Sequence, residues 1–172
     1  MARRLPKALS MAVTLMTLLL ASAVAQAQET ALREYETLRG VKSYWVIAEV
    51  EETARSFGVS DLSIKNAAES TLRAYGVASV DSTEFAREPD SVSLAVAVDA
   101  LDTGRGLAVY TIRASVHQVA APLRRPLMNI VATTWTRMVF GICSPSTLST
   151  KMTPAVRDLV SQLVTEHRLA NP

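Results

Sequence analysis

Two histidines, one cysteine and a scatter of serines carry most of the reactive chemistry in this 172-residue chain. A hydrolytic site would pair one of the serines with a histidine, but no serine lies in a G-x-S-x-G elbow. His117 sits in an alternating stretch and shares parity with Arg113 and Ser115, which reads as a solvated sheet face rather than a catalytic base. His167 lies in the last turns of a C-terminal helix, where a cation suits the helix dipole. Cys143, in Gly-Ile-Cys-Ser-Pro, has no charged residue within three positions. With no cation nearby, it reads as a small buried hydrophobe rather than a reactive thiol. The acids Glu49, Glu51, Glu52, Asp99 and Asp102 do not follow calcium-loop spacing, and the six glycines are too scattered for a phosphate loop. Beyond residue 27, Arg124-Arg125 forms the one basic cluster, on an expected loop. No catalytic residue, metal site or cofactor is expected, and an enzyme is the least favoured class.

A surface is the better candidate. Trp45, Arg113, His117, Thr133, Trp135 and Arg137 all fall on strands. They are assigned to the sheet face that the helices leave open. Aromatic and arginine side chains give large contact area at modest entropic cost, which favours them where partners dock. The opposing reading places Trp45 and Trp135 in the core, because a one-residue slip moves every side chain of a strand to the other face.

The elements that must position these residues follow from periodicity. Residues 43–51, SYWVIAEVE, are aromatic and β-branched and predict a strand. Ser60 as N-cap, a stripe from Ile64 through Tyr75 and a terminal Gly76 predict a helix, and a short strand follows at 77–80. Alternation over 91–121 around Asp102-Thr103-Gly104-Arg105-Gly106 predicts a hairpin. Pro122 and Pro126 bound a loop, 128–140 predicts another strand, and 141–149 a second loop. The last helix is expected to start with Thr153 as N-cap and Pro154 in the first turn. The order β-α-β-β-β-β-α implies an α+β, two-layer sandwich with a mainly antiparallel sheet and two helices on one face. Residues 28–40 read as an N-terminal arm and 41–172 as a single α+β domain.

Residues 1–27 have the form of a cleavable secretory signal peptide: cationic MARRLPK, an apolar stretch over 12–25, and Ala25-Gln26-Ala27 before the cut. A retained anchor is the rival, since 8–25 approaches the ~18 residues needed to span a bilayer. Cleavage would remove Arg3, Arg4 and Lys7 from 18 cations and none of the 16 acids, so the net charge falls from +2 to −1. That balance argues against a nucleic-acid partner. The expected location is the periplasm or the exterior, with no stable membrane span after cleavage. One cysteine excludes a disulfide-stapled fold.

Four segments together carry a resemblance: Leu38-Arg39-Gly40-Val41, Leu72-Arg73-Ala74-Tyr75-Gly76-Val77, Ala132-Thr133-Thr134-Trp135 and the closing Asn171-Pro172. In this combination, over about 38–172, the chain resembles a family of small exported bacterial proteins built on a domain of unknown function. The element order is also similar to periplasmic α/β modules of envelope assembly lipoproteins, although no lipidated cysteine follows the cut. The resemblance implies a fold and a location but no activity. The functional expectation is a non-enzymatic binding or envelope-assembly module, its partner another envelope protein. The alternative is a small apolar ligand or lipid binder, with a cavity lined by Tyr75, Tyr110 and Ile112.

Overall fold

The computed structural model describes residues 34–122, 124 and 127–172; the expected signal peptide lies outside them. In chain order the elements are β1 (Ser43–Val50), α1 (Glu52–Ser56), α2 (Asp61–Ala74), β2 (Ala78–Val80), α3 (Ser82–Phe85), β3 (Ser91–Asp102), β4 (Ala108–Ala120) and β5 (Ile130–Cys143). A 3-10 turn (Pro145–Thr147) then leads into α4 (Leu148–Ala170). The strands form one sheet in the order β2-β1-β3-β4-β5. β1 runs parallel to both β2 and β3, while the long β3-β4-β5 ladders are antiparallel. The fold is α+β, with a mixed, mostly antiparallel sheet.

Local chemistry accounts for the framework. The Ser60 hydroxyl accepts from the Ser63 amide at 3.2 Å and caps α2. Gly76 ends that helix at φ 74°, a left-handed conformation that a side chain disfavours. The β1-to-β2 connection must cross over because the pair is parallel, and α2 makes the crossing. Residues of one parity on β1, β3 and β4 are buried: Tyr44, Val46 and Val50; Val92, Leu94, Val96 and Val98; Ile112, Ala114 and Val116. They pack under Ile64 and Leu72 of α2 and under Leu159 and Leu163 of α4.

Three details differ from the sequence expectations. Two short helices, α1 and α3, appear where the sequence reading has none; each has an acidic N-cap, Glu51 and Asp81, bonding amides of its first turn. β5 is displaced, running from Ile130 to Cys143 rather than over 128–140, so Cys143 closes a strand. α4 begins at Leu148, five residues ahead of Thr153, and encloses Pro154. Burial explains this early start. Leu148 and Met152 extend the apolar stripe of α4 into the core, and each contributes about 1.5–3 kcal/mol on burial. Together they match or exceed the ~3 kcal/mol that a proline inside a helix costs through its missing N–H and its clash with the preceding turn.

Candidate functional site

With α2 and α4 on one side of the sheet, the other side presents a grid set by strand register. Trp45, Ser93, His117 and Thr133 form one row across four strands. The next rows are Ile47-Ala95-Ser115-Thr136 and Glu49-Ala97-Arg113-Met138. Two rows over three strands complete it: Asp99-Thr111-Phe140 and Leu101-Val109-Ile142.

Small side chains at the centre make this face concave. Ala95, Ala97, Ser115 and Thr136 lie low, while His117 and Thr133 rise at one end and Glu49 and Arg113 at the other, enclosing a hollow of about 470 Å³. Its polar groups are partly paired with one another. The Thr133 hydroxyl lies 3.1 Å from His117 Nδ1, and the Ser115 and Thr136 hydroxyls are 3.1 Å apart. Among the described residues no carboxylate bonds His117, so the histidine has no orienting acid of the kind a general base uses. No group of three metal-ligating side chains occurs among them either. The hollow offers hydroxyls, an imidazole, a guanidinium and a carboxylate on a rigid sheet, which suits recognition.

Four of the six surface residues expected from the sequence therefore share the open face. Trp45, His117 and Thr133 stand in one row and Arg113 two rows away. Trp45 is partly covered, its ring packing on Phe85 of α3 at 5.0 Å between centroids. Trp135 and Arg137 are on the opposite, helix-covered face, which corrects their assignment. The cause is a β-bulge. Val116 pairs with Trp135 but His117 pairs with Thr133, so Thr134 is an extra residue and parity inverts across it. Thr133 keeps its assigned face, and the residues beyond Thr134 exchange faces.

On the covered face these two residues have structural partners. Trp135 is 1% exposed, and its indole N–H donates to Glu166 at 2.8 Å. Arg137 bonds the other Glu166 oxygen at 2.8 Å, pairs with Glu34 and lies 5.2 Å over the Trp135 ring. The cluster joins β5, α4 and the chain ahead of β1. Loss of solvent works against the Arg137 charge, but bonds and charges from Glu34 and Glu166 outweigh it and raise its pKa.

The residues expected to line an apolar cavity do not surround one. Ile112 is packed in the core and Tyr110 lies against it, whereas Tyr75 is exposed beneath the Arg168 guanidinium. His117 and Cys143 do not form one site, since Cys143 is buried on the covered face and pairs with Ala108, nine residues along β4 from His117. At strand rise that is about 30 Å.

Beyond the residues expected from the sequence, an apolar band lies at the far end of the open face. Leu101, Met138, Phe140 and Ile142 are between 62% and 77% exposed. Its signal is the alternation of Met138, Phe140 and Ile142, which a loop assignment past Phe140 conceals.

No family model matches the chain, and no curated protein does. Among solved structures it is similar to a dodecamer of a PelC point variant from Paraburkholderia phytofirmans, at 23% identity and a TM-score of 0.45, over 73% of this chain and 89% of that one.

Proposed function

We propose that this chain is an exported, periplasmic module with no catalytic role, which binds another envelope protein across the open face of its sheet. The observation that carries the reading is the hollow between His117-Thr133 and Glu49-Arg113, held on a rigid sheet and left uncovered by the helices. A signal-like segment over 1–27 supports export. Among the described residues no helix is long and apolar enough to cross a membrane.

Crosslinking in the native envelope tests this, with a photoreactive residue placed at His117 or Thr133 and, as control, at Arg73 on α2. The expected result is one reproducible adduct from the sheet-face positions alone. Solvent-facing positions of this kind contribute within about 0.5 kcal/mol to stability, so His117→Glu and Thr133→Arg should abolish the adduct while the protein stays folded. Equal adducts from His117, Thr133 and Arg73 would refute the assignment.

A further inference from the structure

The open face has two chemically different ends, and the apolar end has its own requirement. Leu101, Val109 and Ile142 form one apolar row, and Phe140 and Met138 continue from Ile142 along β5. Together they present roughly 500 Å² of apolar surface, in the range where a patch marks an interaction site. Nothing on β5 guards it. Arg137 is the one charged residue between Leu127 and Thr150, and its side chain turns to Glu34 and Glu166 on the other face. The opposite sheet edge is unlike this one, since β2 has three residues and passes directly into α3.

We propose that this band is a self-association surface, on which a second copy of the chain packs the same band face to face about a two-fold axis through Phe140. Area and charge both point to a second copy. Two such bands remove about 1,000 Å² from water, which reaches the lower bound for a specific interface. The flanking charges are self-complementary. Asp99 and Arg113 are diagonal neighbours on β3 and β4, for Asp99 pairs with Thr111 and Arg113 with Ala97. On the strand grid, a two-fold running from between them through Phe140 exchanges their positions. Each Arg113 then lies over the Asp99 of the other copy, the reciprocal contact that a two-fold interface demands.

The test is the mass of the purified chain by sedimentation across concentration. A dimer is expected. Phe140→Lys should weaken it by at least tenfold, because the axial contact becomes a pair of facing cations. Asp99→Arg places two cations against each other and should weaken it about tenfold, while the swap Asp99→Arg with Arg113→Asp should restore it to within about threefold. Circular dichroism confirms that each variant is folded. A chain that stays monomeric to about 100 μM, a weak association by any measure, overturns the proposal. So does a dimer that Phe140→Lys leaves intact, or one weakened by Asp99→Arg that the swap fails to restore. Phe140 and Asp99 lie outside the hollow that His117, Thr133, Glu49 and Arg113 bound, so envelope crosslinking from His117 in Phe140→Lys and Asp99→Arg reports separately on capture of a different protein.

Discussion

Glu166 holds two donors from β5 at once, the Trp135 indole and the Arg137 guanidinium. Removing the indole N–H with Trp135→Phe deletes a hydrogen bond to a charged acceptor and should cost about 1–2 kcal/mol. Arg137→Ala removes the cation between Glu34 and Glu166, each less than one-third exposed, and should cost about 1–3 kcal/mol. Urea midpoints measure both, and an unchanged midpoint for Arg137→Ala would show that the cluster is ornamental to the fold. His167 makes a separate prediction in pH. Its Nδ1 shares a 3.0 Å hydrogen bond with the hydroxyl of Tyr44, whose pKa burial raises, so the phenol keeps its proton. Burial first and Arg168 second hold the imidazole pKa below its ordinary 6.5. The unfolded chain then binds the proton more readily than the folded one. The contribution of His167 to stability is complete above the ordinary histidine value and is lost as pH falls through the lowered one. Stability should decline on that side of neutrality in the native chain, and His167→Gln should remove that part of the slope in denaturation series run from about pH 7.5 to 5.

Pro154 gives the sharpest prediction among the elements. It stands in the second turn of α4, where its ring removes a donor that the Thr150 carbonyl would otherwise use. Pro154→Ala should stabilise the protein by about 1–2 kcal/mol, the loss of proline's stiffening of the unfolded chain offsetting part of the gain. A destabilised variant would mean that the proline sets a bend the core requires. The same residue shows why local sequence misplaces the start of α4. Thr-Pro is a strong start signal by local chemistry, and it loses to the burial of Leu148 and Met152, which depends on tertiary contact. The alternations of β1, β3 and β4 and the stripe of α2 are legible because one face of each is buried and the period is regular. The β5 register is not, since a bulge leaves no fixed mark in sequence. Thr133, Thr134 and Trp135 read as plain alternation, and only the pairing with Val116 and His117 reveals the extra residue. The candidate site is legible to the same extent: Arg113, His117 and Thr133 precede the irregularity, while Trp135 and Arg137 follow it.

At the scale of the molecule, the segment ahead of β1 behaves as part of the core. Leu38 is fully buried, and both ends of the described chain meet at Asn171. The Asn171 side-chain amide donates to the Leu38 carbonyl at 2.9 Å and accepts from the Gly40 amide at 2.7 Å, while Thr37 donates to the Thr134 carbonyl at 3.1 Å. Gln118 in turn donates to the Thr37 carbonyl at 2.9 Å, so the segment also closes over the bulge. A chain starting at residue 41 would lose Leu38 from the core, the Asn171 clasp and the Glu34 partner of Arg137. Burial of a leucine alone is worth about 2–5 kcal/mol by truncation, and the lost polar contacts add about 1 kcal/mol each. Such a chain should therefore unfold at markedly lower urea, whereas Asn171→Ala in the full chain should cost only about 1–2 kcal/mol. If the chain from residue 41 matches the longer one, the clasp is a surface contact without consequence. If it does not, the sheet's folding unit begins ahead of residue 41, with Leu38 the residue that carries most of the loss, and cleavage after Ala27 would leave Leu38 in place.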